Sequence, residues 1–301
     1  MVLPPCRATA RDYPGGRRSR PSLPSRGVHR CFRQRSRGDC RAEAGVAGGH
    51  ARPSSGGGAP VRPPPSPRVS RPVMHHRWSR MTFVHWRYPP GAVRPLLPGG
   101  LEPETFDGDA WVGLTPFLME GVRPPGTPAL PWLSRFPETN LRTYVRDGRG
   151  RTGLWFLSLD AGRLAAVLAG RVGYGLPYHW SDMEVRAAGR LVRYRGRRHR
   201  PTGAAGPAGR CDAEVEVGRP LTEGERDELA HFLTARFRLF TVVAGRLAAA
   251  EVEHPPWPLR QARLLHLDQD LVRLAGLPAP DRAPVLHASP GVPVRVGRWT
   301  R

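Results

Sequence analysis

Of the 23 aromatic residues in this 301-residue chain, all but Tyr13 and Phe32 follow residue 72, so a core can be built only downstream of that point. The first 72 residues hold 22 Gly or Pro, eight residues of the Leu, Ile, Val and Phe set, and 15 Arg against Asp12, Asp39 and Glu43. Such a segment buries too little apolar surface to offset its ordering entropy and is expected to be disordered. The reading is a basic Arg/Gly/Pro-rich extension over 1–77 and one folded domain over 78–298. Roughly 220 residues suffice for a sizeable core. The extension reads as upstream of the true translation start, placed near Met74 or Met81.

The formal charge is +22, and all 47 basic residues are arginine. Lysine and isoleucine are absent, and Asn140 is the sole asparagine. These three residue types have A/T-rich codons, which points to a GC-rich genome and weakens the high pI as a nucleic-acid signature. No run of ten apolar residues occurs, so no signal-peptide core or membrane-spanning helix is expected. Cys6, Cys31 and Cys40 lie in the extension, and Cys211 is alone in the domain. No disulfide framework or zinc spacing follows, which suits a reducing, cytoplasmic setting.

The domain reads mainly as strands. Ala110–Met119 reads as a strand, and Asn140–Arg146, the Asp147-Gly148 turn and Gly153–Leu159 form a hairpin. Met183–Ala187, Leu191–Arg195, Ala213–Val217, Arg238–Val243 and Arg246–Glu253 extend the series. Three helices interrupt it. Asp160 is expected to cap one over Ala161–Val172 that buries Leu164, Val167, Leu168 and Val172. Thr222 and Glu225 have capping-box spacing for a second, with Leu229, Phe232, Leu233 and Phe237 inward. Asp268 and Gly276 bound a third, burying Leu271, Val272 and Leu274. Short antiparallel strands with few helices indicate a closed or nearly closed barrel.

Several blocks carry a resemblance: FVHWRYPPGAVRPLLPGGLEPETFDGDAWVGLTPF at 83–117, FPETNLRTYV at 136–145, GLWFLSLDA at 153–161, YGLPY at 174–178, FLTARFRLFT at 232–241 and EHPPWPL at 253–259. Together they resemble the YqjF-like, or DUF2071, family. The resemblance implies an acetoacetate decarboxylase-like fold, an antiparallel β-barrel enclosing a small-molecule cavity. Characterised relatives of that fold use a Schiff-base lysine in a Gly-x-Pro-Lys-Lys stretch. Here the matching residues are Gly175-Leu176-Pro177-Tyr178-His179. A phenol forms no imine, and a chain without lysine performs no lysine-imine decarboxylation.

Site candidates follow from alternation. Glu138, Asn140, Arg142 and Tyr144 share one face of a strand. That face either lines a pocket or meets solvent while Leu141, Thr143 and Val145 face the core. The resemblance places Glu138 or Asn140 near a glutamate of the decarboxylase site. If buried, Arg142 needs a carboxylate, either from Glu138 or from an anionic ligand. Tyr178 and Arg142 with Asn140 and Tyr144 are the candidate ligand contacts. Tyr178, His179 and Glu138 are the candidate proton-transfer groups. The histidines lack metal-site spacing, so neither metal nor cofactor is expected. His254 and Trp257 are expected to close a strand into a rigid loop, with the indole packed on the barrel. The arginines over Arg186–Arg200 read as a solvated hairpin, with polyanion binding as the competing reading. The favoured expectation is a small-molecule, carboxylate-type binding barrel; a lysine-independent enzyme and a polyanion binder are the alternatives.

Overall fold

Ala110-Trp111-Val112-Gly113-Leu114 leads into Thr115-Pro116-Phe117-Leu118-Met119 with almost no polar interruption, the pattern of a strand covered on both faces. The computed structural model describes residues 65–199 and 209–300. In it this run is buried throughout, within strand β4 (Asp109–Arg123). The preceding strands are β1 (Met74–Tyr88), β2 (Leu101–Pro103) and β3 (Thr105–Phe106), and β5 (Phe136–Asp147) and β6 (Thr152–Ala161) follow. The later strands are β7 (Tyr178–Ala188), β8 (Leu191–Arg198), β9 (Arg210–Pro220), β10 (Arg238–Val243), β11 (Arg246–Glu253), β12 (Arg260–Gln269) and β13 (Val285–Thr300). Short helices α1 (Pro90–Val93), α2 (Leu164–Tyr174), α3 (Glu228–Thr234) and α4 (Leu271–Leu274) sit between them.

The architecture is mainly β, and its hydrogen bonding closes on itself. β1 pairs with β4, β4 with β5, β5 with β6, β6 with β10, β10 with β11, β11 with β13, and β13 with β1. Only the β6–β10 step in this circuit is parallel. A second arm, β7-β8-β9-β12, leaves β6 in parallel and returns to β13 at Arg260 opposite Ala288. One core fills the inside of the circuit around Phe83, Phe117, Phe136 and Trp257. Another lies on the outer face of β1, β4 and β5, where Val84, Val112, Leu114 and Leu141 meet Leu271 and Val272 of α4.

The expected β5–β6 hairpin forms, with Val145 opposite Gly153 and Arg146 opposite Thr152. Asp147 closes its turn by accepting from the Arg149 and Arg151 amides at 3.0 and 2.8 Å. Residues 1–64, most of the expected extension, lie outside the described residues. Order reaches upstream of residue 78. Val69 is buried and its amide donates to Glu253 at 2.8 Å, and β1 pairs Met74–Trp78 with Val292–Val296. A chain starting at Met81 would lack that half of β1; one starting at Met74 keeps it.

The helices depart from the sequence reading. Asp160 does not cap α2; it lies in β6, and α2 begins after Arg163 with no side-chain cap. Only Val167 and Gly170 of α2 are buried, while Leu164, Leu168 and Val172 are exposed. The helix turns its small residues inward because an aromatic ring occupies the space beneath it. Thr222 and Glu225 do hydrogen-bond, at 2.8 Å to the amide and 3.0 Å to the hydroxyl. They close a turn rather than open α3, whose cap is Asp227, accepting from the Ala230 amide at 2.7 Å. Asp268 belongs to β12 and pairs with Arg210 at 2.7 Å, so α4 starts after Asp270. Leu271 and Val272 are buried as expected, whereas Leu274 is exposed.

Candidate functional site

β5 brings Glu138, Asn140 and Arg142 to one cavity of about 160 Å³ inside the strand circuit. Both faces of this strand are buried: opposite the cavity-facing row, Leu141 and Val145 join other cores. The pleat therefore separates a polar, cavity-facing row from an apolar row packed outward.

Tyr178 reaches the same cavity from the start of β7. Its hydroxyl donates to Glu138 Oε2 at 3.2 Å. Three local features place it. Gly175 ends α2 in the left-handed region at φ 62°, where glycine is favoured. The Thr241 hydroxyl holds the Gly175 carbonyl at 2.9 Å. Gly170 leaves the room for the ring, since a Cβ there would overlap Tyr178.

Glu138 is 2% exposed. Burial pushes its carboxyl up to about 8, against the opposing hydrogen bonds from Tyr178 and Asn140, so it carries a proton at neutral pH. Burial, followed by the neighbouring Glu138, raises the Tyr178 phenol well above its ordinary value. The pair is thus neutral near pH 7.

Arg142 is 6% exposed and has no carboxylate within ion-pair distance among the described residues. Of the two alternatives for its partner, Glu138 makes no ion pair with it: the two lie four residues apart along β5, and Glu138 bonds Tyr178 instead. The Arg142 guanidinium lies 5.6 Å from the Phe83 ring centroid. Arg142 Nε and Asn140 Oδ1 are both buried without a hydrogen-bond partner. Burial first, then the charge of Arg142, drives the His85 imidazole well below its usual range. The other guanidinium at the cavity, Arg236, is neutralised by Glu104 at 2.6 Å. Arg142 is therefore the uncompensated charge of this cavity.

Two candidates fall elsewhere. Tyr144 is fully buried beyond the cavity, hydrogen-bonded to His85 Nε2 and to the Leu233 carbonyl, each at 2.7 Å. Its polar demand is met inside the protein, and Arg236 covers its ring at 4.9 Å. His179 points away from Tyr178 by pleat alternation and does not line the cavity. Burial and then Arg198 lower its pKa, so the three-residue set Tyr178, His179 and Glu138 reduces to the outer two.

The cavity walls are only partly legible in the sequence. Trp257 packs as expected, stacked on Trp78 at 5.8 Å and 4°, with Phe83 edge-on at 5.1 Å. His254 is anchored by the carbonyls of Pro255 and Arg236 at 2.8 and 3.3 Å. Trp78, His76 and Arg236 are cavity residues that the sequence reading misses. No local spacing marks them, since they come from β1 and from the segment after α3.

Most arginines of the hairpin are paired, while Arg197 is exposed with no ion pair among the described residues. Register sets Arg193 opposite Glu214 and Arg195 opposite Asp212 on β9, with ion pairs at 3.0 and 3.9 Å. Arg186 pairs with Glu184 and Arg190 with Glu216, at 2.6 and 2.8 Å. Arg198 is half of a buried pair with Asp160. Arg200 lies outside the described residues.

The circuit with its side arm defines the class of fold. It is similar to an acetoacetate decarboxylase-like enzyme from Sphingomonas wittichii RW1 (TM-score 0.53, 15% identity, 76% of this chain and 92% of that one). It is also similar to the acetoacetate decarboxylase of Legionella pneumophila (0.53, 16%, 79% and 92%) and to the enduracididine biosynthesis enzyme MppR complexed with pyruvate (0.52, 18%, 82% and 93%). At these identities the likeness shows the fold alone. Within it, the chain belongs to the DUF2071 family of uncharacterised conserved proteins, matched over residues 75–293. It is 34% identical over 215 residues to the uncharacterised protein YqjF of Bacillus subtilis, covering 71% of this chain and 86% of that one. No helix among the described residues is long and apolar enough to cross a membrane.

Proposed function

We propose that this protein binds a small carboxylate inside its barrel-like strand circuit, with Arg142 as the anion's anchor. The observation that carries this is a guanidinium 6% exposed with no acidic partner among the described residues. A buried unpaired charge is costly, and a planar carboxylate is the matching bidentate acceptor. MppR, which shares the fold, forms a complex with pyruvate, and that small carboxylate supports the choice of ligand class. Native mass spectrometry of the full chain from its own host, before and after denaturation, tests the reading. The wild type is expected to release a small acid on unfolding, and Arg142→Gln to purify without it. The same acid on both proteins would contradict the assignment.

A second reading, a lysine-independent enzyme, is supported by the hydrogen bond between Tyr178 and Glu138 at 3.2 Å and by the proton that Glu138 holds at neutrality. Such a group is tuned for general acid-base transfer. Tyr178→Phe separates the readings. An enzyme would lose turnover by about 10²–10⁴-fold with its affinity kept, whereas a pure binding protein would show no turnover in either form.

A further inference from the structure

An anchored carboxylate accounts for one end of a ligand, and the cavity constrains the rest of it. Its size, about 160 Å³, is close to that of an apolar cavity of roughly 150 Å³ that accepts one benzene ring. The walls are flat and polarisable. Trp78 and Trp257 stack at 5.8 Å, and Phe117 meets Trp78 edge-on at 6.1 Å. Met81 and Met119 also line the space, and thioethers pack well on ring edges.

The polar groups sit at two ends. Arg142 and Glu138 are four residues apart on β5, about 13 Å along the strand, and the reach of the arginine shortens the gap between their functional groups. Glu138 is already joined to Tyr178, and it is uncharged at neutral pH, so that end does not repel an anionic ligand. Between them Asn140 Oδ1 is a buried acceptor with no donor. A carboxylate or ketone brings only acceptors and cannot satisfy it. A hydroxyl can donate to Asn140 while accepting from the protonated Glu138.

Resting on the carboxylate reading, we propose that the ligand is a hydroxylated aromatic carboxylate of one ring. Its carboxylate sits on Arg142, its ring lies against the Trp78–Trp257 wall, and its hydroxyl meets Asn140 and the Glu138–Tyr178 pair.

Calorimetric titration of the full chain with 4-hydroxybenzoate, benzoate, 4-methoxybenzoate and hexanoate tests this. The expected result is that 4-hydroxybenzoate binds at least about tenfold more tightly than benzoate, the equivalent of one well-made buried hydrogen bond. Methylating the hydroxyl is expected to abolish the gain, and hexanoate to bind more weakly than benzoate. Asn140→Ala is expected to remove the difference, so that 4-hydroxybenzoate and benzoate bind this variant equally. Should that variant fail to fold, the comparison of hydroxyl and methoxy ligands on the wild type decides the matter alone. Equal affinity for 4-hydroxybenzoate and benzoate, or a preference for hexanoate, would overturn the aromatic hydroxy acid even if Arg142→Gln abolished all binding; the Arg142 anchor would then stand. Failure of all four to bind would overturn the carboxylate reading beneath it.

Discussion

Glu138→Gln is expected to gain stability on the wild type by several kcal/mol as pH rises from 5 to 9, an effect of about 5 kcal/mol at the full width of the shift. Glu138 is held at about 8 in the folded chain, against an ordinary value of 4.5. Between these values the folded state binds the proton and the unfolded state does not. The raised pKa therefore contributes stability that is fully present below 4.5 and is lost as pH climbs through 8. Glutamine keeps the shape and never ionises, so the difference between the two unfolding curves isolates this group. His76 acts in the opposite direction. It is 8% exposed, and burial, with a smaller push from His75, holds it at about 3 against 6.5. The unfolded state binds the extra proton in that window, so stability falls with acid through it. On the alkaline limb Glu104, also raised by burial, acts in the same direction as Glu138, and on the acid limb His85, His254 and His287, all lowered by burial, act with His76. Urea unfolding at intervals of one pH unit checks the prediction; parallel curves for Glu138→Gln and wild type would refute it.

Arg198→Met is the second large effect, expected to cost about 3–5 kcal/mol. Arg198 Nε donates to Asp160 Oδ1 at 2.6 Å and Nη2 to Oδ2 at 2.9 Å, a two-pronged pair whose side chains are 12% and 5% exposed. Ser181 adds a hydrogen bond to Asp160 Oδ1 at 2.9 Å. The pair spans β7 and ties β8 to the end of β6, so it fixes the side arm to the circuit. Removing the arginine alone strands a buried carboxylate. Removing both charges does not, so Arg198→Met with Asp160→Asn is expected to lose less than the sum of the single changes. Strictly additive losses in denaturant midpoints would show that the pair is not coupled.

The contrast between these pairs shows what the sequence could reveal. Alternation in Glu138-Thr139-Asn140-Leu141-Arg142 reveals which side chains travel together, and β5 carries them to the cavity as a row. It does not reveal that the other row is buried too, because that depends on α4 arriving from more than a hundred residues away. Asp147-Gly148 announces its hairpin because turn chemistry is local. Arg193 and Glu214 announce nothing, since their meeting is a matter of register between β8 and β9. The same limit hid β1, β12 and β13. Their histidines, arginines and prolines break the apolar pattern, and the left-handed Arg80 at φ 50° together with a register shift bends β1. Helix α2 misled for a related reason. Its apolar period is real, yet Tyr178 fills the space under Gly170, leaving Leu164, Leu168 and Val172 outside. The residues that resemble the DUF2071 family located the fold, and the absence of lysine excludes imine chemistry on the sequence alone.

On the proposed carboxylate reading, Arg142 is a charge buried for a ligand rather than for the fold. The most direct test of that reading is the unfolding free energy of wild type and Arg142→Met, each stripped of ligand and then measured with a saturating carboxylate. Methionine fills the stem's volume without the charge, so the empty variant is expected to be as stable as the wild type or more stable by about 1–3 kcal/mol, and the carboxylate to stabilise only the wild type. A variant several kcal/mol less stable than the empty wild type, or one stabilised equally by the ligand, would show that Arg142 serves the fold and not a ligand.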